Sequence, residues 1–156
     1  MEKPSFVYVT YIRTTPEKLW RAVTEPEFTR QYWGGKVNIS DWKNGSKWRH
    51  IAEDEDDPLY VVGEVLESVP PKRLVLTWAD PDDPEDSSTV TFEIESIKDM
   101  LRLTVMHGDF KPDSVMAKKV AVGWPLVLSS MKSYLETGEG INNFAAALPE
   151  SVQCAK

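Results

Sequence analysis

Residues 116–136 read MAKKVAVGWPLVLSSMKSYLE, and they constrain the fold more than any other stretch. Val120, Trp124, Val127, Leu128, Met131 and Leu135 recur at helical spacing and share one face. Lys118, Lys119, Ser129, Lys132 and Ser133 fall mostly on the other side. Gly138 follows as a helix-terminating residue. Pro125 has no N–H for an interior helical bond, so it predicts a kink or a late helix start at Trp124. A helix with one apolar stripe needs a surface to cover.

The upstream sequence supplies that surface. Residues 5–13 are β-branched and aromatic and predict a first strand. Both of its faces are apolar, so it is either covered twice or uses its outer face for contact. Thr15-Pro16 opens a helix that runs to about Thr24, and a second short helix over 26–32 follows Glu25-Pro26. Strands are predicted over 37–42 and 46–51 around the tight turn Asn44-Gly45. More follow over 60–67, 73–79, 88–97 and 101–107. Their short connections imply an antiparallel meander. The fold class is therefore α+β, with helices on one face of the sheet. Residues 1–137 form a single domain, and 138–156 a tail that docks or frays.

Composition narrows the function. No apolar run is long enough to span a membrane, and the N-terminus lacks a signal-peptide pattern. One cysteine, Cys154, leaves no internal disulfide and no cysteine metal cluster, which fits a cytoplasmic setting. A net charge of −7 speaks against nucleic acid as a partner, because phosphate binding needs clustered Lys and Arg. Nothing in the sequence calls for a cofactor or a metal.

Ordered short segments carry a resemblance. They include Pro16-Glu17-Lys18-Leu19-Trp20, Thr24-Glu25-Pro26, Tyr32-Trp33-Gly34, Gly63-Glu64-Val65-Leu66-Glu67 and Pro70-Pro71-Lys72-Arg73-Leu74. Thr77-Trp78, Ser88-Thr89-Val90-Thr91-Phe92, His107-Gly108-Asp109-Phe110 and Gly123-Trp124 complete the set. Together they span about residues 6–137, and the chain resembles the homologues of the activator of the heat-shock protein 90 ATPase, within the START-like (SRPBCC) superfamily. The resemblance implies a helix-grip fold, a curved antiparallel sheet wrapped around the C-terminal helix, with a hydrophobic cavity between the two. It does not imply one activity, since relatives include lipid carriers, cyclases and co-chaperone domains.

The residues expected to face that cavity are Trp48, His50, Trp78, Phe92, Leu103, Val105 and His107 from the strands, and Trp124, Leu128 and Met131 from the helix. Trp33 is placed to close the mouth. Indole pairs a large apolar face with one N–H donor, which suits orienting a partly polar ligand. Plain core packing is the alternative reading of each tryptophan. A cavity histidine could act as acid, base or hydrogen-bond partner, yet no acid is spaced to pair with His50 or His107. The acidic stretches 53–57 and 80–86 hold ten carboxylates at one end of the meander and read as solvated loops rather than a calcium site.

The expected function is binding of a hydrophobic or amphipathic small molecule. A protein-interaction module with a chaperone partner is the alternative, and a cyclase- or hydrolase-type enzyme the third.

Overall fold

The computed structural model describes residues 5–56, 58–142 and 144–147. Cys154, Asp57 and the end of the tail lie outside the described residues. The chain runs β1 (Phe6–Ile12), α1 (Pro16–Thr24), α2 (Pro26–Tyr32), β2 (Val37–Ser40), β3 (Lys47–Ile51) and β4 (Leu59–Val69). β5 (Arg73–Asp80), β6 (Asp83–Ile97), β7 (Met100–Gly108), α3 (Val115–Thr137) and α4 (Phe144–Ala147) complete it. The seven strands form one antiparallel sheet in the order β1-β7-β6-β5-β4-β3-β2. Strands β2 to β7 are the expected meander, and β1 closes on β7 as an edge strand. This is the helix-grip architecture.

Alternation along the strands builds the inner face. Leu101, Leu103, Val105 and His107 of β7 are buried, as are Val90, Phe92 and Ile94 of β6 and Leu74, Leu76 and Trp78 of β5. Apolar burial on this scale, at ~25 cal/mol per Å², is the main force holding α3 against the sheet. The outer face of β1 is not covered: Val7, Val9 and Tyr11 are 62%, 50% and 44% exposed.

Gly63 of β4 shows how closely the inner face is packed. A Cβ there would fall well inside contact distance of the Thr77 carbonyl oxygen and Trp48 Nε1. The Trp48 indole crosses β4 at this point to donate to that carbonyl at 2.7 Å, so only glycine fits.

α3 runs unbroken through Pro125 rather than starting at Trp124. Proline leaves the carbonyl four residues back, that of Ala121, without its helical donor. The Tyr8 hydroxyl of β1 reaches that oxygen at 3.4 Å. At the C-terminus Gly138 takes a left-handed φ of 90° and its N–H donates to the Tyr134 carbonyl. At the N-terminus the Ser114 hydroxyl accepts from the Ala117 N–H.

The N-terminus also corrects the reading of the second acidic stretch. β6 begins at Asp83, so the β5–β6 connection is short and much of 80–86 is strand. Asp86 is 2% exposed. Its Oδ1 accepts from the Ser114 hydroxyl at 2.5 Å, and its Oδ2 from the Met116 N–H at 3.0 Å. A carboxylate at a helix N-terminus meets both free N–H groups and the positive end of the dipole. Asp82, Asp83 and Glu85 stay exposed.

Candidate functional site

A cleft of about 210 Å³ lies between the inner face of the sheet and α3. Met116, Val120 and Trp124, spaced by four, turn one line of α3 toward it. Val61 and Trp78 face them from the sheet, and Trp33 enters from the end of α2. Three indoles form its centre: Trp78 and Trp124 have ring centroids 5.6 Å apart, Trp33 and Trp124 5.7 Å, and Trp33 and Trp78 6.5 Å. These spacings are those of favourable aromatic contacts.

Two of the three indole N–H groups are already used. Trp78 Nε1 donates to Met116 Sδ at 3.3 Å and Trp124 Nε1 to His107 Nδ1 at 3.0 Å. The expectation that indoles would orient a polar ligand group therefore does not hold for these two.

His107 is fully buried. Because Nδ1 accepts from Trp124, the ring hydrogen sits on Nε2, which donates to Ser88 Oγ at 2.7 Å. The Ser88 hydroxyl passes its own hydrogen to the Trp78 carbonyl at 3.2 Å. A Ser–His pair at this distance resembles a nucleophile and its base, but the polarity is reversed: the histidine gives a hydrogen to the serine and cannot take one. Burial pushes the His107 pKa down to about 3, which keeps the ring neutral.

His50 is held differently. Nδ1 lies 2.6 Å from Oδ1 of Asn38, its partner on β2. Its ring packs 4.8 Å from Trp33 and 6.4 Å from Trp78 and lines the cleft. Burial, with repulsion from Lys36 second, pushes its pKa down to about 3.

The mouth carries Lys36, Lys119 and Phe144. Lys36 Nζ sits 4.8 Å from the centre of the Tyr60 ring. Phe144 is brought there by the segment after α3, which is tied down at several points. The Ile141 N–H donates to Ser130 Oγ at 2.8 Å, Asn142 Nδ2 to the Gln31 carbonyl at 2.8 Å, and the Gly34 N–H to Asn142 Oδ1 at 3.0 Å.

Of the residues expected to face the cavity, the cleft brings together Trp33, His50, Trp78 and Trp124. Trp48, Phe92, Leu103, Val105, His107, Leu128 and Met131 are buried core residues and do not line it. Sequence reasoning missed Lys36, Tyr60, Met116 and Phe144 as lining residues, and Asn38 behind His50. Val120 and Val127 were on the correct helix face. Phe144 gave no signal beyond a weak apolar patch in the tail. Among the described residues no group of His, Cys, Asp or Glu is placed to hold a metal ion, and no helix is long and apolar enough to cross a membrane.

Comparison with known proteins follows the fold. No curated protein matches the sequence. A protein of Mesorhizobium loti of known structure is 26% identical, with a TM-score of 0.71 over 85% of this chain and 96% of that one. An HSP90 activator from Plasmodium falciparum is 24% identical, with a TM-score of 0.71 over 84% of this chain and 95% of its own. A protein of Staphylococcus saprophyticus is 20% identical, with a TM-score of 0.70 over 88% and 96%. The family described as activator of Hsp90 ATPase homolog 1-like protein matches residues 13–136. With the match covering most of the chain and the helix-grip fold in place, this protein belongs to that family.

Proposed function

We propose that the protein binds an amphipathic small molecule in the cleft between the sheet and α3. The observation that carries this reading is the make-up of the cleft. Three indoles and the aliphatic face of α3 leave about 210 Å³ unfilled where a core would close up. Its apolar wall is interrupted by His50 and, at the mouth, by two lysines. Apolar walls supply affinity and a few polar groups supply orientation. A cytoplasmic location belongs to the same proposal and rests on the single cysteine.

The test is a titration of the full chain with a polarity-sensitive dye and with medium-chain fatty acids, followed by tryptophan emission. Saturable quenching is expected, and Val120→Trp, which fills the cleft from α3, should abolish it while leaving the melting temperature near that of the parent. Native mass spectrometry of freshly purified protein checks for a retained molecule. Absence of saturable binding by every compound would overturn this reading.

A second reading has its own support. The exposed Val7, Val9 and Tyr11 form an apolar stripe on an edge strand, a surface suited to a protein partner. The HSP90 activator from Plasmodium falciparum shares the fold, so a chaperone is the first partner to try. Val7→Lys with Val9→Lys should abolish any such association without changing dye binding.

A further inference from the structure

The ligand-binding reading above leaves open the chemistry of the ligand's polar group, and His50 bears on it. The Asn38 side chain lies between His50 and the Val23 carbonyl, which is 3.5 Å from Nδ2. A carbonyl only accepts, so the amide NH₂ faces Val23 and Oδ1 faces the histidine. His50 Nδ1 therefore carries the ring hydrogen, and Nε2 is an unprotonated acceptor. Among the described residues nothing donates to Nε2. The residue is 4% exposed, and its ring stands in the cleft wall beside Trp33. The Trp33 N–H, unlike those of Trp78 and Trp124, also meets no partner among the described residues.

We propose that His50 sets the specificity of the cleft by accepting a hydrogen bond from the hydroxyl of a neutral aromatic alcohol or phenol, whose ring packs among Trp33, Trp78 and Trp124. Asn38 is the positioning residue that fixes the tautomer. A hydroxyl can donate to Nε2 and accept from an indole N–H with the same oxygen. An ether, ketone or carboxylate brings only lone pairs against a lone pair and leaves the acceptor desolvated and unpaired. The low pKa of His50 keeps Nε2 an acceptor throughout the neutral range.

The experiment compares 2-naphthol, 2-methoxynaphthalene and 2-naphthoate on the full-length chain by calorimetry at neutral pH. The expected order puts 2-naphthol on the order of tenfold tighter than either analogue. In ¹⁵N spectra of the imidazoles, His50 Nε2 should begin as an unprotonated nitrogen and shift upfield on adding 2-naphthol, while His107 stays put. Asn38→Leu frees the tautomer and should shrink the preference to less than threefold. The ligand series on the unmodified protein decides the matter even where that variant fails to fold. Equal binding of 2-naphthol and 2-methoxynaphthalene overturns the role of His50 and leaves ligand binding standing. Tightest binding of 2-naphthoate also overturns it, since Lys36 and Lys119 would then choose the head group. If no naphthalene binds but the dye of the preceding titration does, the specificity assignment fails alone; if the dye fails too, the ligand-binding reading fails with it.

Discussion

His50 and His107 look alike in the chain. Each sits on a strand in phase with inward residues, each is buried, and each is held neutral with a pKa near 3. Their surroundings separate them. His107 has both ring nitrogens engaged, by Trp124 and Ser88, and does not line the cleft. His50 has one nitrogen engaged, by Asn38, and its ring faces the cleft. The same side chain is a strut in one place and an available acceptor in the other. Burial does not make the difference; the number of partners does.

The widest separation should appear in stability. His107→Ala removes a large side chain from the core, strands the Trp124 N–H and takes from Ser88 Oγ the donor it accepts from, so it should cost about 3–5 kcal/mol in urea unfolding. His50→Ala removes a ring from the wall of the cleft rather than from the filled core and leaves only the Asn38 side chain without its partner, so it should cost less than half as much. Equal costs would mean that the two sites do not differ as the geometry says.

The same criterion, partners rather than residue type, divides the acidic residues. Asp86→Ala breaks bonds from Ser114 and from the Met116 N–H at the start of α3 and should cost about 2–3 kcal/mol. Asp82→Ala, at an exposed turn, should stay within about 0.5 kcal/mol. Thermal melts of the two variants side by side make the comparison directly.

Acid should affect both histidines in the same direction. Their folded pKa values lie below the ordinary value of 6.5. As pH falls through 6.5 the unfolded chain takes up protons that the folded chain refuses, so stability is lost toward acid and is fully present above that range. From pH 6.5 to 5.5 the loss should be about 1 kcal/mol for each histidine, because a proton bound only by the unfolded chain is worth about 1.36 kcal/mol for every pH step of one. His50→Gln should remove half of that pH dependence while keeping the fold. A flat profile in the parent would mean that the folded rings titrate like exposed ones, and stability rising toward acid would mean that they are protonated in the folded chain.

These contrasts show what a sequence carries and what it does not. Alternation in β5, β6 and β7 and the helical spacing of Val120, Trp124, Val127 and Leu128 decided which face each residue presents, and the fold followed from that. Periodicity gives a direction but not a depth. Leu103 and Val105 share a face with cleft residues yet lie in the filled part of the core. Partners far apart in sequence were also out of reach. Asp86 sits in a run of carboxylates, and only the arrival of α3, with Ser114 and the Met116 N–H, makes it different. Pro125 predicted a kink or a late helix start at Trp124 because it has no N–H to donate; Tyr8, more than a hundred residues away, reaches the Ala121 carbonyl that this leaves without its helical donor. Phe144 reaches the mouth through backbone and amide bonds that no hydrophobic pattern encodes.

The smallest expected effect separates the two histidines most selectively. The pKa of His107 is lowered by burial alone, whereas that of His50 is lowered by burial and then by the positive charge of Lys36. Lys36 is partly exposed at the mouth, above the Tyr60 ring, so its charge is partly screened by water. Lys36→Met keeps an unbranched apolar side chain and removes the charge. The His50 pKa should rise and that of His107 should not move, as read from the Cε1–H resonances of the two rings in a proton NMR titration. A raised folded pKa narrows the gap to the unfolded value, so the variant should also lose slightly less stability between pH 6.5 and 5.5. Equal movement of both rings would point to a change in packing rather than in charge. No movement of either would leave burial as the whole cause at His50, and the two histidines would then differ only in the partner that one of them lacks.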